Sequence, residues 1–149
     1  MKLLSPAPIL ILFFTVCVQV PIAQTLPATT IGNPLVVFET SGGFAGIDEV
    51  LTVFKDGKIE FADIKRNHHR EAHARPEQIA KLQEMISKPE YEHLQLSSPL
   101  RRGADYFTYK ISTWASNTNV HTVTATDLDL PTILSQVISE LNALRKLIP

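Results

Sequence analysis

Apolar positions recur along this chain in two periods, and each switch between them marks an element. Leu35 to Thr40 is β-branched and aromatic and predicts a first strand, which runs into the glycine-rich stretch Ser41-Gly42-Gly43-Phe44-Ala45-Gly46. Val50–Lys55 and Lys58–Ile64 flank Asp56-Gly57, the signature of a two-residue hairpin turn with positive φ at both central positions. That turn would set Val50, Thr52 and Phe54 on one side, facing Ile59 and Phe61. Asn67 to Ala74 is polar and rich in histidine. The period then lengthens: Pro76 opens a helix in which Ile79, Leu82 and Ile86 recur at helical spacing until Lys88-Pro89 stops it.

Tyr91 to Gly103 reads as an irregular connection containing Pro99 and the pair Arg101 and Arg102. Asp105 to Trp114 alternates, with Phe107, Tyr109 and Ile111 on one side and Thr108, Lys110 and Ser112 on the other, as in a sheet with one wet face. Ser116-Asn117-Thr118-Asn119 signals a turn, and Val120–Thr126 returns as an antiparallel partner. Pro131 starts a last helix with Ile133, Val137, Leu141, Leu144 and Ile148 on its apolar face. Each element has one apolar side to bury. The fold class that satisfies all of them is α+β, an antiparallel sheet of four to five strands with two amphipathic helices packed on one face.

The first 34 residues follow neither period. Lys2 precedes the nearly unbroken apolar run Ile9–Val20, which is too short for the roughly 20 residues of a spanning helix and reads as an export signal. Small residues near Ala23 place the cut after that residue, and Val16 argues against lipidation at Cys17. The expected organisation is a signal peptide over 1–23, a Thr- and Pro-rich linker over 24–34, and one domain over 35–149. The mature chain is then exported, to a periplasm or beyond, with no stable membrane anchor. Without residues 1–23 it keeps 13 basic and 15 acidic residues and no cysteine. Its core must therefore hold without disulfides, at a size that buries roughly 65 per cent of the unfolded surface. No basic tract is present beyond the Arg101–Arg102 pair, which excludes nucleic acid as the main partner.

Enzyme signals are missing as well. The mature chain has no cysteine nucleophile, no G-x-S-x-G, no phosphate-binding glycine loop and no H-E-x-x-H, so no catalytic residue and no cofactor is expected. The one possible metal site is His68, His69 and His73, of which His69 and His73 would share a face if the segment were helical. Glu71 is near, but Arg66, Arg70 and Arg75 would repel a dication, and a solvated polar loop or helix end is the competing reading. Tyr106 and Trp114 fall opposite Phe107 and Tyr109 and hint at a partner surface. Phe44 is a bulky apolar residue between glycines, which either folds back onto the core or meets a partner.

Ser41-Gly42-Gly43-Phe44-Ala45-Gly46-Ile47 after a short strand, then Gly103-Ala104-Asp105-Tyr106-Phe107-Thr108-Tyr109-Lys110-Ile111, then His121-Thr122-Val123-Thr124 and a terminal helix introduced by Leu130-Pro131, resemble the emfourin family in order and spacing. Emfourin-like proteins are small bacterial inhibitors of protealysin and related thermolysin-like zinc metallopeptidases, and the resemblance covers about residues 35 to 147. It implies a small antiparallel sheet with helices, and a monomeric inhibitor whose partner is such a peptidase. The chain departs from the typical member in its export signal and in the histidine segment Arg66–Ala74. A thermolysin-like site keeps an open zinc position beside an apolar pocket. The motif loops offer no metal ligand, so the expectation is a cleft occupied without coordination to zinc. The contact candidates are Ser41, Gly42, Gly43, Phe44, Ala45 and Gly46, with Phe44 as anchor. The alternative is an exported metal- or ligand-binding module using His68, His69 and His73.

Overall fold

The computed structural model describes residues 34–95, 106–114, 119–128 and 130–149. The expected signal peptide, nearly all of the linker, Cys17, Arg101, Arg102, Gly103 to Asp105 and the turn residues 115–118 lie outside them. Among the described residues nine elements follow one another: β1 (Pro34–Gly42), β2 (Ile47–Phe54), β3 (Lys58–Asp63), β4 (His68–His73), α1 (Pro76–Ile86), α2 (Pro89–Glu92), β5 (Phe107–Trp114), β6 (Val120–Thr126) and α3 (Thr132–Arg145). The strands form one antiparallel sheet in the order β4-β3-β2-β1-β5-β6. The first four strands are a meander, and after the helical excursion the β5–β6 hairpin returns to the free side of β1. The α+β class expected from the sequence is the class observed, with six strands and three helices among the described residues in place of four to five and two.

Register explains which face is buried. Phe38 lies opposite Leu51 on one side and Ile111 on the other, Val53 opposite Ile59, and Ile111 opposite Val123. These residues share one face of the sheet and form a single core with Ile79 and Leu82 of α1, Tyr91 of α2, and Leu134, Val137, Ile138, Leu141 and Leu144 of α3. All three helices therefore cover the same face. The other face is wet: Lys110 pairs with Glu39 at 2.7 Å, and the hydroxyls of Ser112 and Thr122 are 3.0 Å apart.

The side expected for β2 is corrected. Leu51 and Val53 face Phe61 and Ile59, while Val50 and Thr52 turn to the wet side. The turn carries one residue more than Asp56-Gly57 alone implies. Only Gly57 has positive φ, at 94°, and its N–H donates to the Phe54 carbonyl at 3.1 Å. Because side chains alternate with a period of two, that single residue moves the whole strand to the opposite face.

The strand not foreseen is β4, sequence His-His-Arg-Glu-Ala-His, which pairs with β3 from Lys58↔His73 to Asp63↔His68. It lies at the sheet edge, where one ladder of hydrogen bonds suffices and no apolar alternation is needed. Tyr91, expected in an irregular connection, sits in the short helix α2 and is fully buried. The α3 face is also wider than expected, since Leu134 and Ile138 are buried while Ile133 and Ile148 pack only at its border.

Polar contacts tie the helices down. Arg145 donates to Glu49 at 2.7 Å and lies 4.9 Å over the Phe61 ring, Lys81 reaches Glu140 at 2.6 Å, and the ring Nε2 of His121 meets the Leu94 carbonyl at 2.9 Å. The first of these contacts holds the C-terminus of α3 against the start of β2.

Candidate functional site in the β1–β2 loop

Pairing of β1 with β2 continues to Gly42↔Ile47, which leaves Gly43, Phe44, Ala45 and Gly46 as a four-residue loop. Ser41 and Gly42, expected in the loop, are strand residues paired with Asp48 and Ile47 on one side and with Thr108 and Phe107 on the other. The loop closes on itself through the Gly46 N–H, which donates to the Gly43 carbonyl at 2.8 Å.

The loop is also braced from outside. The Gly43 N–H donates to the Tyr106 carbonyl at 2.9 Å, so the backbone entering β5 supports the loop's first residue. Gly42 and Gly43 have φ of 102° and 68°, where a side chain is strained. A Cβ at Gly42 would come within 2.3 Å of the Tyr106 oxygen, and one at Gly43 within 2.7 Å of the Phe107 ring. The backbone approaches β5 this closely because those side chains are missing. Phe107 in turn stacks on Tyr109 at 6.4 Å between centroids, and Tyr109 on Phe38 at 5.9 Å. Aromatic rings thus connect the loop to the core.

At the tip of this braced loop the Phe44 side chain is 93% exposed. Of the two fates open to an apolar residue between glycines, folding back onto the core is not the one adopted. Ser41 and Ala45 are exposed beside it. The structure joins Ser41–Gly46 to the start of β5, a contact invisible in either stretch alone; the clue was the glycine pair, which marks a close approach but does not name what approaches. Lys65 was missed too: its Nζ would lie 2.6 Å from a Cβ at Gly46.

The histidines do not converge. In β4 His68 points to one face and His69 and His73 to the other, and the latter two are separated by four residues of strand, about 13 Å. Among the described residues no group of three or more His, Cys, Asp or Glu side chains could hold a metal. No helix among them is long and apolar enough to cross a membrane. Trp114 is half-buried and lines a cleft of about 470 Å³ at the opposite end of the sheet, with Leu35, Ile86, Thr113 and His121. Tyr106 is half-buried where its backbone braces the loop.

No protein-family model, curated protein or solved structure matches the chain.

Proposed function

We propose that the chain is an exported protein inhibitor of thermolysin-like zinc metallopeptidases that blocks the active-site cleft with the β1–β2 loop. The observation that carries the reading is the exposed Phe44 at the tip of a loop fixed by its own turn and by β5. A loop whose backbone is already fixed loses little further backbone freedom on binding. Ordering a mobile side chain costs about 0.5–1.5 kcal/mol, and a buried aromatic anchor returns about 2 kcal/mol or more. Ser41–Ile47 and, from the second stretch on which the emfourin resemblance rests, Tyr106 and Phe107 meet at this loop. The loop residues offer no metal ligand, so the mode is occlusion: Phe44 fills the apolar pocket beside the zinc while the glycine backbone lies along the cleft.

The test is a titration of residues 24–149 against thermolysin after long preincubation at fixed zinc. Residual activity should fall to zero near equimolar inhibitor. Phe44→Ala should weaken inhibition about 30-fold or more, the equivalent of about 2 kcal/mol. Since the side chain is exposed, its melting temperature should stay at the wild-type value. Undiminished inhibition by Phe44→Ala would remove the anchor from the mechanism.

A further inference from the structure

The sheet ends on one side in β6, which has β5 as its one neighbour. The Asp127 N–H donates to the Phe107 carbonyl at 3.2 Å, and that pair continues the β5–β6 register, in which Thr108 lies opposite Thr126 and Trp114 opposite Val120. The hydrogen-bonding groups of an antiparallel strand point alternately to its two sides. The N–H and C=O of His121, Val123 and Ala125 therefore turn to β5, as those of Asp127 do. The N–H and C=O of Val120, Thr122, Thr124 and Thr126 turn outward, and none of them has a hydrogen-bond partner among the described residues.

The strand reads Val-His-Thr-Val-Thr-Ala-Thr, with no Lys, Arg, Asp, Glu or Pro. All four residues with outward amides are β-branched, the side chains that suit a paired, pleated surface. Val120, at the start of the strand, is 52% exposed.

We propose that β6 pairs with β6 of a second copy of this chain, antiparallel about a two-fold axis through Val123. In that register Thr122 lies opposite the second copy's Thr124, and Val120 opposite its Thr126, which shields the exposed valine. Every outward N–H and C=O of both strands is then bonded, two bonds to each facing pair. The occupant follows from the strand itself. Pairing about a two-fold axis makes β6 its own partner, and like charges brought face to face are what oppose such a join. β6 carries none, and the wet side of the join is threonine on threonine. The arrangement also closes, because the two sheets merge into one whose margins are both β4.

A seven-residue edge buries well under the roughly 800 Å² per partner of a stable complex, so the pairing is weak, with half of the chains paired on the order of 100 µM. Well below that concentration the chain is the monomer that the emfourin resemblance implies. β5 separates β6 from β1, so both Phe44 loops stay open and the pairing does not depend on the inhibitor reading.

The test is sedimentation equilibrium of residues 24–149 from about 10 µM to about 1 mM, with amide exchange followed by NMR over the same range. The weight-average mass should climb toward that of a dimer. At the top of the range about four chains in five should be paired, which slows the Thr122 and Thr124 amides about fivefold, while the Val123 and Ala125 amides, already bonded to β5, change less. Thr124→Pro removes an outward N–H that β5 does not use, so it should melt cooperatively at about 5 µM and stay monomeric at about 1 mM. Thr122→Lys sets two ammonium groups diagonally across the axis and should weaken association about tenfold or more. Phe44→Ala should associate as the wild type does. A wild type that is monomeric throughout, or association kept in both β6 variants and lost in Phe44→Ala, overturns the pairing. If Thr124→Pro does not melt cooperatively, Thr122→Lys decides alone, and unaltered association in it overturns the pairing too.

Discussion

Tyr91 offers a test of the packing logic that needs no partner protein. Its side chain is fully buried, and among the described residues its hydroxyl has no hydrogen-bond partner. The Thr113 hydroxyl is close enough to act on the phenol, but it is turned toward the His121 carbonyl at 3.4 Å. The ring makes an edge-on contact with His121 at 5.5 Å, which Phe would retain. A buried hydroxyl without a bond costs about 1–3 kcal/mol of desolvation, against the small loss of packing when one oxygen is removed. Tyr91→Phe should therefore equal or exceed the wild type at neutral pH, by up to about 1 kcal/mol.

The same burial raises the Tyr91 phenol to about 12 from its ordinary value of 10.0. A group whose pKa is higher in the folded state favours folding fully below the unfolded value and progressively loses that contribution as pH rises through the folded one. Between pH 10 and 12 the wild type should lose about 1.4 kcal/mol per pH unit from this residue, up to about 2.7 kcal/mol in all. Tyr91→Phe should lack that loss. It should keep the smaller alkaline dependence of Tyr109, raised by burial and then by the Asp127 charge, and of Lys58, raised by its bonds to Glu60 and Glu71. Urea unfolding followed by tryptophan fluorescence at about pH 7, 10, 11 and 12 would measure both effects. A variant weakened by more than about 1 kcal/mol at pH 7, or one that tracks the wild type from pH 10 to 12, would refute the reasoning.

Gly42→Ala should destabilise the domain by about 2 kcal/mol or more, since it adds left-handed strain of about 1–2 kcal/mol to a collision with the Tyr106 carbonyl, and it should also weaken inhibition in the thermolysin titration. Leu141→Ala, at a fully buried position of α3, should cost about 2–5 kcal/mol in chemical denaturation without changing what the folded fraction inhibits. Asp63→Asn should flatten the acid limb of stability. The Arg66 backbone N–H, together with its charge, holds the Asp63 carboxyl below 3.8, so its contribution is present above that value and lost as pH falls through the folded pKa. Thermal melts between about pH 2 and 6 would show the difference.

Helices α1 and α3 and the β5–β6 hairpin were legible because their signals are local: Pro76 and Pro131 start α1 and α3, and alternation from Phe107 to Ile111 assigns the buried side of β5. The hidden parts depend on distant partners. The face of β2 hangs on whether one residue joins the turn at Asp56-Gly57, and short sequence signals resolve that poorly when Val50 and Val53 are equally apolar. β4 carries no apolar alternation, since an edge strand takes its order from the neighbour it pairs with. At the site, the glycines and Phe44 could be singled out from composition alone. Their braces, Tyr106 and Phe107 on one side and Lys65 on the other, lie well apart from the loop in sequence and come together only through the sheet order β3-β2-β1-β5.

The histidine-rich strand acquires a meaning once its place at the margin is known. An open sheet ends in a row of unpaired amides and carbonyls, a template onto which a foreign strand can add. β4 offers such a strand three imidazoles, the Arg70 guanidinium bound to the C-terminal Pro149 carbonyl, and Glu71 tied to Lys58 at 3.1 Å, with only Ala72 half-buried. Any newcomer would have to strip water from this crowd of charges. What looked like a ligand set thus serves to keep molecules apart, and a chain that has no disulfide to guard its fold gains a margin that resists fibre growth.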